Sequence, residues 1–207
     1  MMDTFFKEET INYARVSECV SKLLQQIAVQ FHQQLNSGEF KKEYIITEYD
    51  SHQVPEIQVF DYLRRIASMS MCANRDIISA LVYIDRLTNN EVISGISFHN
   101  IHRLLAVSIM VSTKFYQDQP LSNRRWAHIL GIPLRELNKV EVNFLQSLKY
   151  DLNLRIEELL FWTESIFRYA EVDSIQERQD FDSGNSSDTN CIQTNQVFCQ
   201  TNQTVNL

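Results

Sequence analysis

The stretch from Arg103 to Lys114 constrains the fold most, because no charged residue stands between these two cations. Apolar side chains occur on every face of this run at helical spacing, which predicts a helix enclosed by other helices. A transmembrane helix needs about 18 or more apolar residues, and this run is shorter and flanked by charge. A buried strand is the alternative, but the helical period continues outward through Phe98 and Ile101. We therefore expect an all-α domain with its function on the polar ends of the helices.

The composition of the 207 residues also favours long helices, because only 4 are glycine and 3 are proline. The net charge of −7 gives no support to nucleic-acid binding, which usually requires a basic face. The four cysteines form no CxxC pair, so reduced thiols in the cytosol or nucleus are expected rather than a zinc site or disulfides. The N-terminus has no basic segment followed by a long apolar one, so no signal peptide is expected.

Apolar periodicity predicts seven helices. They are expected at residues 11–36, 55–71, 74–87, 97–116, 122–131, 133–148 and 156–169. Pro55 suits the start of a helix, and Asn74 and Ser97 suit helix caps.

The predicted helices divide the chain into four regions. These are an N-terminal helix and connector (1–54), a central helical unit (55–152), a flanking helix (153–172) and a tail (173–207). The tail is rich in Asn, Gln, Ser and Thr, so it buries too little apolar surface to offset an ordering cost of about 1–2 kcal/mol per residue. We therefore expect the tail to be disordered.

Patterns typical of catalysis and metal binding do not occur. The sequence has no GxSxG, no Gly-rich phosphate loop and no HExxH. His99 and His102 lie three residues apart, but no nearby Asp, Glu or Cys completes a metal-ligand set. Glu157 and Glu158 fit the first turn of a helix better than acid–base chemistry. We therefore expect no enzymatic activity, no cofactor and no metal site.

Lys114 and Glu141 are the most informative charged residues. Lys114 ends the uncharged run beside Phe115, and Glu141 lies between apolar turns, before Leu145. One interpretation is that the Lys114 stem packs on the core with its ammonium in water, while Glu141 is solvated. The other is that both bond the backbone of a partner, since charge-assisted hydrogen bonds contribute about 1.5–3 kcal/mol each when shielded. The pattern of residues alone leaves both open.

Residues 55–152 resemble a cyclin box, the helical domain of the cyclin family. Three segments resemble the ends of its second, third and fifth helices: ALVYIDRL at 80–87, VSTKF at 111–115 and EVNFLQSLKYDL at 141–152. The opening PEIQVFDYLRRI at 55–66 is similar to the Pho80-like subgroup, which holds the P- and U-type cyclins. The resemblance implies an all-α fold: a five-helix box with an additional N-terminal helix and a C-terminal flanking helix.

The cysteines, the acidic charge and the short apolar run lead us to expect a function in the cytoplasm or nucleus, without membrane or nucleic acid as partner. The resemblance implies what the partner is. The chain would bind and activate a cyclin-dependent protein kinase of the Pho85 or Cdk5 kind. It would add no catalytic group, but would bias a two-state helix of the kinase, αC. By analogy, the backbone of the αC region is held by Lys114 and Glu141. Its side chains are received by the apolar residues Phe115, Leu145, Tyr150 and Leu152.

Two positions depart from the pattern of cell-cycle cyclins. Glu56 takes the place of an Arg that pairs with the Asp matching Asp85, so Asp85 is expected to pair with Arg86 or Arg64 or to face solvent. A Trp and a Glu that dock basic substrate motifs in those cyclins are replaced by Tyr62 and Arg65. The reversed charge would repel a cationic motif, so we expect no substrate recruitment there.

Three alternatives stay open. The chain is a kinase regulator or, instead, a helical adaptor with the same fold and a non-kinase partner. The helix at 11–36 packs across the box, or contacts the kinase or a second copy. The tail segment DSGNSS at 182–187 is a flexible linker or a phosphodegron with Ser183 and Ser187 as its phosphorylated residues.

Overall fold

The computed structural model describes residues 13–38 and 44–168, and no β-strand occurs in these two ranges. The two described ranges contain seven helices, which confirms the prediction of an all-α protein. They are α1 (Tyr13–Ser37), α2 (Val59–Ser70), α3 (Asn74–Asn89), α4 (Ile101–Tyr116), α5 (Asn123–Leu130), α6 (Leu134–Ser147) and α7 (156–168). Within the described ranges, no helix combines the length and the apolarity that crossing a bilayer requires.

Helix α4 is the centre of the fold, as the uncharged run predicts. Every residue from Leu104 to Thr113 is buried, and α2, α3 and α6 pack around it. Its buried hydroxyls bond within the protein, because Ser108 and Thr113 donate to carbonyls one turn earlier, at 2.5 and 2.8 Å. A helix whose polar side chains are satisfied in this way can be surrounded by apolar neighbours on all sides.

The carboxylate of Asp76 lies in the first turn of α3 and is fully buried against α4. One oxygen accepts the Ala73 backbone N–H at 2.8 Å, and the other faces the Ser112 hydroxyl at 3.4 Å. Burial raises the pKa of Asp76 above its ordinary value. This contact joins the start of α3 to the C-terminal half of α4.

Helix α1 packs against α2 and α3 through an apolar face that includes Val20, Leu23 and Leu24. At its C-terminal end the ring of Phe31 lies so close to Gly95 that a Cβ there would be 2.5 Å from the ring. The structure therefore places this face of α1 against α2 and α3, in agreement with the first of the alternatives for this helix.

The connector after α1 is tied to the domain from Tyr44 onward. Tyr49 is buried, with its ring centroid 6.2 Å from that of Phe144 in α6. The Ile45 N–H donates to the Ser94 hydroxyl at 2.9 Å. Ser94 lies in the segment between α3 and α4. Long-range contacts of this kind cannot be read from local sequence.

Two predicted helix starts are wrong. Pro55 does not begin α2, which starts at Val59. The residues between them are irregular, and the carbonyl of Ile57 bonds the ring of His102 at 2.8 Å.

Ser97 does not cap α4, which starts after Asn100. The Asn100 side chain accepts the Ser97 N–H at 2.8 Å, so a turn precedes the helix.

Candidate functional site

The C-terminal end of α4 meets the middle of α6 at Lys114 and Glu141. Their side chains form an ion pair with the Lys114 Nζ 2.5 Å from the Glu141 Oε1. The side chains are 21% and 15% exposed, so both are shielded but within reach of a partner. The structure thus brings together the two residues that the sequence marks as informative, and this ion pair does not fit the interpretation in which Glu141 is solvated apart from Lys114.

Asn123, at the start of α5, completes the site, and the sequence analysis missed it. Its side-chain oxygen accepts a hydrogen bond from the Lys114 ammonium. Its Nδ2 donates to the Glu141 Oε2 at 2.6 Å and to the Asn138 Oδ1 at 2.8 Å. A polar cluster of Lys114, Glu141, Asn123 and Asn138 therefore joins α4, α5 and α6.

Apolar side chains accompany this polar cluster. Phe115 is 45% exposed and Tyr150 is 65% exposed, while Leu145 and Leu152 are half-buried against the core. Leu145 lies one helical turn after Glu141, so the two share a face of α6. Large exposed aromatic rings are typical of a protein-binding surface.

The chain reverses sharply after α6, which presents Tyr150 to solvent. Lys149 and Tyr150 both adopt left-handed backbone angles, with φ of 54° and 58°. The Tyr150 N–H bonds the Leu145 carbonyl at 2.8 Å, and the Lys149 N–H bonds the Gln146 carbonyl at the same distance. These bonds satisfy carbonyl groups at the end of the helix. They also fix the backbone from which the Tyr150 side chain extends into solvent.

Helix α3 holds the segment that leaves α6. The Tyr83 hydroxyl donates to the Leu152 carbonyl at 2.9 Å. Burial raises the pKa of Tyr83 far above its ordinary value, so this hydroxyl stays protonated and remains a donor. The Arg86 guanidinium donates to the carbonyls of Asp151 and Asn153 at 3.0 and 2.9 Å. Tyr83 and Arg86 of α3 thus set the position of Leu152.

Tyr62 and Arg65, which replace the Trp and Glu of substrate docking in cell-cycle cyclins, lie beside the α5–α6 turn. Tyr62 is only 6% exposed, and its hydroxyl donates to the Leu130 carbonyl at 2.9 Å. Arg65 is exposed and donates to the His128 carbonyl at 3.1 Å. The aromatic ring is therefore part of the core, and the cation lies at the surface above it.

Asp85 is buried at 4% exposure, so the expectation that it faces solvent is wrong. Its Oδ2 accepts the Asn89 side-chain amide at 3.1 Å. The neighbouring Arg86 forms an ion pair with Glu158 at 2.9 Å. Glu56, which replaces the expected Arg, is exposed on the irregular segment before α2.

The two histidines of the sequence pattern have separate partners. The His99 ring contacts the Ser51 carbonyl at 3.0 Å, and the His102 ring contacts the Ile57 carbonyl at 2.8 Å. Burial lowers the pKa of His102 below its ordinary value, because desolvation disfavours the charged imidazolium. Within residues 13–38 and 44–168, no group of three or more His, Cys, Asp or Glu side chains is arranged to hold a metal ion.

Glu158 lies in the first turn of α7, as the sequence predicts. Its carboxylate accepts the Arg155 N–H at 2.9 Å, which satisfies a backbone donor at the start of the helix. The predicted phosphodegron residues Ser183 and Ser187, and the whole tail at 173–207, lie outside the described residues.

Comparison with known proteins identifies the family. The family model named Cyclin matches residues 5–152. Cyclin-U4-2 of Arabidopsis thaliana is 29% identical over 153 residues, which are 74% of this chain and 70% of that protein. PHO85 cyclin-7 of Saccharomyces cerevisiae is 33% identical over 135 residues, which are 60% of this chain and 47% of that protein. Cyclin-P4-1 of Oryza sativa subsp. japonica is 30% identical over 141 residues, or 68% and 66% of the two chains.

These matches agree with the resemblance to Pho80-like cyclins. The chain spans between about half and seven-tenths of the length of these curated relatives. The family model covers well over half of the chain, and the described helices include the five expected of a cyclin box, α2 to α6. The chain therefore belongs to the cyclin family.

Proposed function

We propose that this chain is a regulatory subunit that binds and activates a cyclin-dependent protein kinase of the Pho85 or Cdk5 kind, in the cytoplasm or nucleus. Relatives in two yeasts carry the names PHO85 cyclin-7 and PHO85 cyclin-like protein psl1. The observation that carries the proposal is the partly exposed ion pair of Lys114 and Glu141, with the exposed Phe115 ring on the residue next to Lys114. The chain has no catalytic part in this proposal.

The polar cluster has hydrogen-bonding capacity to offer a partner. An ammonium group carries three N–H donors, and Lys114 directs two of them to Asn123 and Glu141. A carboxylate accepts about four hydrogen bonds, and Glu141 receives one on each oxygen within the protein. One donor and further acceptor positions can therefore bind the backbone carbonyl and N–H groups of a docked helix end.

The energies are sufficient to switch a two-state helix. Moving such an equilibrium from 1:99 to 99:1 requires a differential affinity of about 5.5 kcal/mol. Two charge-assisted hydrogen bonds contribute about 3–6 kcal/mol in total when shielded. Burial of the Phe115 and Tyr150 rings adds to this. Kinase activation then follows because the docked αC helix keeps the kinase's own Lys–Glu ion pair formed.

Affinity for a purified Pho85- or Cdk5-like kinase tests the proposal. The variant Lys114→Ala plus Glu141→Ala should bind about 30-fold or more weakly, since truncating interfacial charges typically costs about 2–5 kcal/mol. The matched control is Arg103→Ala plus Glu136→Ala, which removes another 2.5 Å ion pair at the opposite end of α4. The control should bind like the wild type.

Two outcomes would contradict the proposal. Equal affinity of the wild type and the Lys114→Ala plus Glu141→Ala variant would remove this surface as the docking site. A wild-type chain that binds neither kind of kinase would favour the helical adaptor.

We propose further that substrates are not recruited through Tyr62 and Arg65. Burial of the Tyr62 ring and the positive charge of Arg65 support this, because a basic peptide would meet a like charge and no exposed ring. A fluorescent peptide with a basic-plus-leucine motif should show no saturable binding to the chain. Saturable binding that Tyr62→Ala abolishes would contradict this part of the proposal.

A further inference from the structure

We propose that Asn123 is a positioning residue of the docking surface, which keeps Lys114 and Glu141 paired and directed toward the kinase. The inference rests on the proposed function, because it names a third residue of the same surface. Asn123 acts through the two charged side chains rather than by contacting the kinase itself.

The contacts of Asn123 point to this role. Its side-chain oxygen accepts from the Lys114 ammonium, and one amide hydrogen goes to the Glu141 Oε2 at 2.6 Å. The second amide hydrogen goes to the Asn138 Oδ1 at 2.8 Å, on the same helix as Glu141 and one turn earlier. Both hydrogens of the amide are thus engaged within the protein, and its oxygen bonds Lys114.

The side-chain amide is well suited to this position. An amide can accept from a cation and donate to a carboxylate at the same time, whereas a carboxylate can only accept. Aspartate at position 123 would face the Glu141 carboxylate with a like charge, and alanine would provide neither bond. An asparagine at position 123 can therefore bridge the Lys114 cation and the Glu141 anion, whereas aspartate and alanine cannot.

The bridge restrains two long and flexible side chains. Lys and Glu lose much rotamer freedom when they are ordered, and this loss lowers the affinity of any surface that must order them on binding. Asn123 donates to the Glu141 Oε2, the oxygen that Lys114 does not bond, and accepts from a second N–H of Lys114. The side chains of Lys114 and Glu141 are therefore each held at two points. The kinase can then dock on a preformed pair without breaking it.

Kinase affinity in two backgrounds tests the inference. Asn123→Ala should weaken binding about fivefold to tenfold, the effect of losing one hydrogen-bonding side chain. In the Lys114→Ala plus Glu141→Ala background the same substitution should change affinity by less than about twofold, because Asn123 then has no charged pair to position. Asn138→Ala should weaken binding less than Asn123→Ala. Thermal unfolding of each variant shows that the chain is folded.

The variant Asn123→Asp separates positioning from a helix-start role. At pH 8 the new carboxylate repels Glu141, so affinity relative to wild type should fall about tenfold or more. The charged groups that contact this position are Lys114 and Glu141. A helix-start role predicts no loss at pH 8, since Asp is favourable in a first turn.

The outcomes distinguish the inference from the proposed function. Equal loss of affinity on Asn123→Ala in both backgrounds would overturn the inference, as would wild-type affinity of Asn123→Asp at pH 8. If Lys114→Ala plus Glu141→Ala itself leaves kinase affinity unchanged, the docking proposal fails and the inference fails with it.

Discussion

The guanidinium of Arg86 and the carboxylate of Glu158 form an ion pair 2.9 Å long that joins α3 to α7. The same guanidinium bonds the carbonyls of Asp151 and Asn153, between which Leu152 lies. The flanking helix is therefore linked through one arginine to the segment that completes the proposed docking surface. This arrangement predicts that residues outside the docking surface affect kinase affinity.

Arg86→Ala should reduce both stability and kinase affinity. The variant loses hydrogen bonds to two carbonyls and to a carboxylate, which corresponds to about 2–3 kcal/mol of unfolding free energy. Kinase affinity should fall as well, because the segment that carries Leu152 is no longer fixed. Denaturant unfolding and kinase titration measure the two effects.

Arg168→Ala is the matched control for Arg86→Ala. Arg168 pairs with Glu164 on the same flanking helix at 3.5 Å, but their side chains are 80% and 65% exposed. Exposed pairs of this kind contribute little. Loss of affinity in the control equal to that in Arg86→Ala would contradict a specific role for Arg86.

Gly95→Ala should destabilise the packing of α1 on the box. The added Cβ would lie 2.5 Å from the Phe31 ring, which is buried, so the ring must move. Overpacking of this kind costs about 1–3 kcal/mol of unfolding free energy. The double variant Gly95→Ala plus Phe31→Leu should be less destabilised than the sum of the two single variants, because the smaller side chain leaves room. Strict additivity would show that the two residues do not meet.

The pH dependence of stability should include a contribution from His102. Burial lowers the pKa of His102 in the folded state, while the unfolded chain titrates near the ordinary value of about 6.5. Below about pH 6.5 the unfolded chain therefore binds a proton at this residue that the folded chain does not. The unfolding free energy should fall as the pH decreases from this value toward the folded-state pKa, and should be unaffected by this residue above it.

The variant His102→Gln isolates this contribution. Glutamine keeps an N–H donor for the Ile57 carbonyl but does not titrate. The difference in unfolding free energy between wild type and variant should change with pH only below about 6.5. A constant difference from pH 5 to pH 8 would contradict a depressed pKa.

Periodicity in the sequence predicts the helices well, because burial repeats every three to four residues. Val16, Val20, Leu23 and Leu24 are buried in α1 as the pattern requires. The start of α2 is wrong because tertiary contacts compete with local preference. Pro55 suits a first helical turn, but the chain stays irregular as far as Val59, and the Ile57 carbonyl bonds His102 in this stretch.

The site is only partly readable from the sequence. Periodicity locates Lys114 at a helix end and Glu141 between apolar turns, and the family resemblance indicates that they act together. Asn123 gives no such signal, since Asn near a helix start is common for capping alone. Its contacts reach 9 and 18 residues along the chain, between helices whose relative placement only tertiary structure supplies.

Photo-crosslinking from position 115 tests the central claim most directly. A photoreactive phenylalanine analogue replaces Phe115, which is 45% exposed beside the polar cluster, and the control probe replaces Ile46, which is 80% exposed on the connector. We predict that the probe at 115 crosslinks to the αC region of a Pho85- or Cdk5-like kinase, as mapped by mass spectrometry, and that Lys114→Ala plus Glu141→Ala abolishes this crosslink. Crosslinking from position 46 but not from position 115 would contradict the account.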